Sequence, residues 1–386
     1  MFFNSFVFAL FLAAVLPVFY ALRGQRSRAV WLLAASYVFY GYWDWRFCSL
    51  LLVSTLVDFL VGRALHAARD PRRRKQLLLV SCGVNLGILG FFKYFNFFVD
   101  SVQATALALG LHVDFLHLNI VLPVGISFYT FQTMSYTIDI YRRRLEPTDS
   151  LVDFALFVSF FPQLVAGPIE RARNLLPQIA HLGRPSRTQV REGITLLVLG
   201  YFKKVAVGDA AGRIVDHVFG RHELYASPEL LAALVLFAIQ IYADFSGYSN
   251  IARGLAKLLG LELMKNFEQP YLSANITEFW RRWHISLSSW LRDYLYISLG
   301  GNRRGEGRTY VNLLATMLLG GLWHGAAWTF VVWGGLHGLY LAGHKMMLRG
   351  RRVADHYEWR GPLSLARWLA SVAATNVLVL LTGLFF

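Results

Sequence analysis

Long apolar blocks alternate along this chain with short basic stretches. Runs at 2–22, 29–43, 47–62, 76–98, 119–140, 192–208, 230–246 and 368–386 approach or exceed the roughly 20 helical residues needed to cross a bilayer core about 30 Å thick. They predict a series of membrane-crossing helices. The first run, opening MFFNSFVFALF, has no basic segment before it, and Pro17–Tyr20 is not a small-residue cleavage site, so it reads as a retained span and not a signal peptide.

Composition agrees with this pattern. Hydrophobic residues make up 56% of the 386 and charged ones only 16%, against about 25% charged in an ordinary soluble domain. A soluble enzyme, a disordered tail and a collagen-like or coiled-coil rod are thereby excluded. The net charge of +15 is spread between the apolar runs, which argues for a basic membrane face and against nucleic acid as a partner. Cys48 and Cys82 have no second thiol at ligand spacing, so neither a disulfide framework nor a thiolate metal site is supported.

Charge also sets the expected topology, because arginine and lysine near span ends stay on the cytoplasmic side. With the N-terminus outside, one face receives 31 of the 38 Lys and Arg residues. Its basic stretches are Arg23–Arg28, Arg63–Lys75, Arg142–Arg144, Arg171–Arg191, 253–268, 281–308 and 345–360. The opposite loops, 44–46, 100–117 and 209–229, carry three basic residues against seven acidic ones.

Three segments do not fit simple crossings. Residues 151–168 are apolar but flanked by basic cytoplasmic stretches, and they contain Phe161-Pro162 and end in Gly167-Pro168. Such a run dips in and returns, covered by protein or by a water-filled cavity, or lies on the surface as an amphipathic helix. Residues 271–300 are bounded in the same way. Within them Trp280, Trp283, His284, Leu287, Leu291 and Tyr294 recur at helical spacing, and Arg282, Ser286, Ser289 and Asp293 form a second, polar stripe. Residues 309–343 must leave the cytoplasmic face and return, yet two full crossings need roughly 40 residues. A break or tight approach is therefore expected near His324, among Gly320, Gly321 and Gly325, within the membrane thickness.

Eleven histidines are present, most of them in loops where a solvated side chain is the simplest reading. His324 differs: an ionisable group in an apolar segment is by default a functional candidate. A low-dielectric interior favours neutral imidazole, the form able to accept a proton from a hydroxyl. The plainer role, hydrogen-bonding helices together, stays open. No histidine pair stands at i,i+3 or i,i+4, and His324, His337 and His344 have no carboxylate nearby on their segment, so no metal is expected. Gly300-Gly301-Asn302 lacks the lysine of a phosphate-cradling loop. Arg281, Arg282, Arg292, Arg303, Arg304 and Arg308 either anchor the surface against anionic lipid or dock the phosphates of a donor. Asp244, at the end of an apolar span, either binds a neighbouring helix or lines a polar path.

Several motifs then carry a resemblance. FFPQLVAGPIE at 160–170, YFKKVAVGD at 201–209, QIYADFSGYSNIARGLAKLLG at 240–260, NFEQPYLSANITEFWRRWHISLSSWLRDYLYISLGGNRRG at 266–305 and LLGGLWHGAAWTFVVWGGLHG at 318–338 resemble the bacterial alginate O-acetyltransferase branch of the membrane-bound O-acyltransferases. The likeness runs in order from the N-terminus to about residue 345. It implies an all-α integral membrane protein with many transmembrane helices and re-entrant helices around a central tunnel. The chain reads as one domain over 1–386, with N-terminal spans at 1–140, a catalytic core at 141–345 and a final span at 368–386. Family members usually continue beyond this point, so the resemblance implies a chain that stops short of the family's full set of spans, GLFF at 383–386 lying within an apolar run.

The resemblance also implies roles. His324 in GGLWHG stands where the family has its catalytic histidine, and His284 in FWRRWH where it has its second signature histidine. Acetyl-CoA is the implied donor, its phosphates near Arg281, Arg282, Arg303 and Arg304, with Trp283, Trp323, Asp244 and Asn275 along the substrate tunnel. The implied location is the bacterial inner membrane. The implied acceptor is a hydroxyl of an exported, alginate-like polysaccharide, reached directly or through a periplasmic acetyltransferase or another polysaccharide-modifying partner. Peptidoglycan, cellulose or teichoic acid are alternative acceptors. A non-catalytic transporter is the alternative class, although no internal repeat of the histidine segments supports it.

Overall fold

The computed structural model describes residues 1–112, 117–165, 167–348 and 361–386. His356 and residues 349–360 of the 345–360 basic stretch lie outside the described residues. Among those described, every regular element is helical. The helices form two compact units, Met1–Leu197 with Ile251–Leu263, and Val198–Asn250 with Met264–Phe386.

The first unit is built from α1 (Phe6–Ala21), α2 (Gln25–Asp44), α3 (Cys48–Ala67), α4 (Pro71–Leu89), α5 (Phe95–Ala108), α6 (Ile126–Tyr141), α7 (Leu151–Ser159), α8 (Phe161–Leu164), α9 (Ala172–Ala180) and most of α10 (Arg187–Tyr201). Asp70 starts α4 by accepting the Arg72 and Arg73 N–H groups, with Pro71 at the first helical position, where a missing N–H costs nothing. From there the chain is helical to Ala108, with a π-helical turn at Gly90–Tyr94. Inside the unit, buried Asp58 accepts from Ser81 Oγ at 2.6 Å and Asn85 Nδ2 at 2.8 Å. Ser54 and Thr133 in turn donate to Asn85 Oδ1. This chain of polar groups ties α3, α4 and α6 together where an unpaired carboxylate would be costly.

Residues 154–164 of the 151–168 run do not lie on the surface. Phe154, Leu156, Phe157, Val158, Phe160 and Phe161 are fully buried. The helix breaks at Phe160 ahead of Pro162, and the freed Phe161 N–H donates to Ser36 Oγ at 3.1 Å. The Phe161 ring wedges edge-on against Phe11 and beside Phe39, at 5.2 and 5.6 Å. Protein thus covers the broken backbone, the condition under which such a break is tolerated at membrane depth.

The second unit holds α11 (Asp209–Phe219), most of α12 (Ser227–Leu258), α13 (Ile276–Arg282), α14 (Ile285–Trp290), α15 (Glu306–His324), α16 (Trp328–Leu348) and α17 (Pro362–Gly383). Among the described residues, four helical stretches are long and apolar enough to cross a membrane: Gln25–Ala67, Pro71–Ala108, Ser227–Leu258 and Pro362–Gly383.

α15 and α16 form a tight antiparallel hairpin, because glycines let the two backbones meet. A Cβ on Gly334 would stand 2.3 Å from the Met317 carbonyl oxygen, and one on Gly321 would fall 2.1 Å from that of Phe330. The expected turn near His324 is present, but the hairpin is longer than the apolar run. It begins at Glu306 and ends at Leu348, so its outer turns use polar residues that hydropathy alone leaves out.

Candidate functional site

The site in the second unit starts at a helix that stops early. Asn275 caps α13, its Oδ1 accepting the Glu278 N–H at 2.9 Å, while Glu278 reaches back to the Ala274 N–H at 2.8 Å. This reciprocal cap gives a helix of only seven residues. Trp283 leaves the helical region at φ −101°, ψ 127°, and His284 takes the left-handed conformation at φ 44°, ψ 55°. The aromatic stripe read from the sequence is therefore not one continuous helix. It bends at Trp283-His284, and the helix restarts with Ile285.

Asn266 holds this bend. Its carbonyl accepts the Ile285 N–H at 2.9 Å, its side-chain oxygen faces the Ser286 N–H at 3.3 Å, and its amide donates to Ser249 Oγ on α12 at 3.0 Å. Two N-terminal N–H groups of α14, otherwise orphaned, are thereby satisfied. A non-glycine residue in the left-handed region costs about 1–2 kcal/mol. Such conformations persist where the surroundings impose them, often at functional sites.

The bend buries the His284 ring, 1% exposed, edge-on to Phe245 at 4.6 Å. Across from it, His324 is the last residue of α15, followed by the extended cap Gly325. A side chain at Gly325 would run into the Phe330 ring, 2.1 Å from where a Cβ would stand. The two imidazoles converge with ring centroids 6.4 Å apart. Trp323 touches both, tilted 57° to His284 at 5.9 Å and edge-on to His324 at 5.2 Å.

A third histidine joins from α16. His337 is 1% exposed and lies behind Trp333, which is 5.0 Å from His324 and 4.7 Å from His337. The Trp280 indole N–H donates to His337 Nδ1 at 3.3 Å, which places the ring hydrogen on Nε2. That nitrogen meets Thr382 Oγ1 at 3.0 Å, and the threonine hydroxyl donates onward to the Val379 carbonyl at 2.7 Å. Both nitrogens of His337 are thus occupied, which makes it a strut for Trp333 and the neighbouring His324. Sequence reading grouped His337 only with the possible metal ligands. The signal that distinguishes it is the glycine-flanked histidine in an apolar run, GLHG, echoing GLWHG.

The other expected residues fall into three settings. Trp283 packs in an aromatic cluster with Phe267, Tyr271, Phe279 and Tyr242. Asp244 accepts from Lys204 Nζ at 2.7 Å, and the same ammonium donates to Asp209 at 2.6 Å. Of the two readings of Asp244, the geometry is that of a clamp between neighbouring helices, made close by Gly208, where a Cβ would lie 2.6 Å from the Asp244 carboxylate.

The arginines are spread along the approach. Arg282 pairs with Glu278 at 2.6 Å and Arg292 with Asp293 at 2.8 Å, while Arg281, Arg303, Arg304 and Arg308 are exposed. Arg303 and Arg304 ride on a turn of Gly300, Gly301 and Gly305, all at positive φ, tied to α15 by Asn312 donating to the Gly301 carbonyl at 2.9 Å. The basic end and the histidine end of α15 are about 27 Å apart at 1.5 Å per residue. Among the described residues, no group of three or more His, Cys, Asp or Glu is placed to hold a metal ion.

Comparison with known proteins identifies the relatives of this arrangement. Residues 141–384 match the family model described as MBOAT, membrane-bound O-acyltransferase family. The chain is 47% identical over 336 residues to the probable alginate O-acetylase AlgI of Pseudomonas putida, covering 86% of this chain and 69% of that protein. It is 48% identical over 340 residues to the probable alginate O-acetylase AlgI of Azotobacter vinelandii, covering 88% and 67%. It is also 35% identical to the peptidoglycan O-acetyltransferase of Helicobacter pylori, covering 95% of this chain and 75% of that protein. The chain thus spans about two thirds of the length of the alginate-type relatives.

Proposed function

The chain belongs to the membrane-bound O-acyltransferase family, and on that premise we propose that it moves an acetyl group from cytoplasmic acetyl-CoA to hydroxyls of an exported, alginate-like polysaccharide. The observation that carries this reading is the convergence of His284 and His324, 6.4 Å apart between ring centroids, at two helix ends. In this reading one small polar group hydrogen-bonds to both rings.

In this mechanism the donor's phosphates bind near Arg281, Arg282, Arg303 and Arg304, and its thioester extends along α15. The neutral His324 imidazole takes the acceptor's hydroxyl proton as the oxygen attacks the thioester carbonyl. The C–S bond then breaks, and the imidazolium returns the proton to the departing thiolate. Proton transfer of this kind contributes about 10²–10⁴-fold, and a dry interior protects the thioester from hydrolysis. His284 orients the acceptor or stabilises the developing oxyanion. Trp283 and Trp323 shape the path around it, while Asn275 and Asp244 hold the neighbouring helices in place.

The one-sided basic charge supports an inner-membrane protein with its N-terminus outside. Transfer is direct or passes through a periplasmic partner. The Helicobacter pylori relative, matched over 95% of this chain, favours peptidoglycan as the second candidate acceptor.

The test is incubation of membranes with acetyl-labelled CoA, in the presence of alginate or of peptidoglycan. Label should enter alginate for the native chain and be lost in His324→Ala at equal expression. Wild-type labelling by His324→Ala would overturn the base assignment, and label in peptidoglycan alone would transfer the activity to that acceptor.

A further inference from the structure

A second site lies in the first unit, remote in sequence from the histidine motifs. A cavity of about 440 Å³ is lined by His66, Arg69, Arg74, Arg143, Arg144 and Glu146, with apolar contributions from Ala68, Ile140 and Leu145. Its volume falls in the range of small-ligand sites. Four arginines face a single glutamate.

The cavity forms where two helices end, and bare helix ends of that polarity would repel an anion. α3 ends at Ala67 and α6 at Tyr141, each presenting carbonyl oxygens and the negative pole of its dipole. Arg74 cancels this field. Its side chain is buried, 7% exposed, and its guanidinium donates to the carbonyls of Leu65 and Ala68 at the end of α3, and of Ile140 and Tyr141 at the end of α6, the last two at 3.1 and 2.9 Å. With those oxygens occupied by a permanent cation, the floor of the cavity is positive.

The rim is aimed by an unusual turn. Arg143 N–H bonds to the Ile140 carbonyl and Arg144 N–H to that of Asp139, closing α6 in the manner that ordinarily places glycine at the left-handed position. Here that position is Arg143, at φ 57°. A guanidinium stands where the backbone would prefer no side chain, and its neighbour Arg144 lines the same cavity. Arg69, Arg143 and Arg144 are exposed, and among the described residues none of them forms an ion pair. Of the nearby carboxylates, Asp70 caps α4 and Asp149 stands beside Arg63 at 3.8 Å, which leaves Glu146 as the one acidic group in the lining.

We propose that this cavity, floored by Arg74 and rimmed by Arg69, Arg143 and Arg144, binds a phosphate group. Planar guanidinium forks match oxyanions two oxygens at a time, which disfavours a halide, and three arginines at one rim suit the three terminal oxygens of a phosphate group better than the two of a carboxylate. At a basic membrane face two sources present this chemistry: the headgroup of an anionic phospholipid and a soluble phosphate compound. The inference is independent of the acyl-transfer reading, because its readout is binding and not turnover.

The test compares the full chain with the double variant Arg143→Gly/Arg144→Gln, in which glycine suits the left-handed turn and folding is preserved. In the first arm, both proteins are reconstituted in phosphatidylcholine nanodiscs containing one-fifth phosphatidylglycerol, and retained lipid is measured by native mass spectrometry. In the second, delipidated protein in detergent is titrated with pyrophosphate by calorimetry at low salt. Retention of phosphatidylglycerol by the native chain, lost in the variant, assigns the headgroup. Saturable pyrophosphate binding, weakened at least tenfold in the variant, assigns a soluble phosphate. Equal behaviour of native chain and variant in both arms overturns the proposal. A thermal melt of each protein in detergent without added phosphate checks that the variant is folded.

Discussion

The rings of His284 and His324 meet at 6.4 Å with their planes 65° apart, and both residues stand at helix ends. His284 precedes α14 and His324 closes α15. Imidazoles mounted this way are aimed by backbone turns, so the site should respond to backbone substitutions as sharply as to loss of a ring.

His284 separates the two effects. His284→Gly removes the ring but suits φ 44°, so its loss of stability comes from the vacated ring space alone, while acetyl transfer is lost. His284→Val loses the ring and strains the turn, adding about 1–2 kcal/mol of instability. If the valine form melts no lower than the glycine form, the left-handed conformation is not a real constraint. Thermal melts in detergent, run beside a turnover assay, make the comparison.

The hairpin carrying His324 depends on close backbone approach. Gly334→Ala would put a methyl 2.3 Å from the Met317 carbonyl, and overpacking of this kind costs about 1–3 kcal/mol. The helices must part, which moves Trp333 away from His324. The expected result is a lower melting temperature together with reduced turnover. Gly343→Ala on the same helix has open space around it and should be nearly silent, which makes it the control.

Thr382 tests the strut. Thr382→Val keeps the shape but leaves His337 Nε2 without its 3.0 Å partner, and an unsatisfied buried group costs about 1–3 kcal/mol. A positioning role predicts that kcat falls while KM changes little, and that Thr382→Ser restores kcat. Failure of serine to rescue would mean that Thr382 acts only through packing.

The Lys204 clamp should behave as a unit. Lys204→Met leaves Asp209 and Asp244 facing one another without their shared cation. Breaking a fully buried pair costs about 3–5 kcal/mol, and the loss here should be smaller because the two carboxylates are 39% and 35% exposed. Adding Asp209→Asn and Asp244→Asn to Lys204→Met should recover part of the melting temperature. A triple variant less stable than the single one would contradict the clamp.

Hydropathy and charge along the chain were enough to mark most of the helices, the broken run at 151–168 and the turn after His324. These are local properties: a run of apolar side chains, a proline, a cluster of glycines and a stretch of arginines act on the backbone wherever they occur. The motifs around His284 and His324 carry the family likeness in the sequence itself.

Tertiary structure decided the rest. The helix through FWRRWH breaks because Asn266, far from it along α12's continuation, offers a carbonyl and a side-chain oxygen to the N–H groups that restart it; periodicity alone predicted an unbroken stripe. His337 entered the site because a glycine-paced hairpin returns α16 against α15, so that Trp333, one turn before His337, meets His324, and Arg143 lines a cavity because α3 and α6 end at the same place. Each outcome depends on a partner distant in sequence, and a side-chain pattern read in one segment carries no record of which carbonyl, ring or helix end will be brought against it.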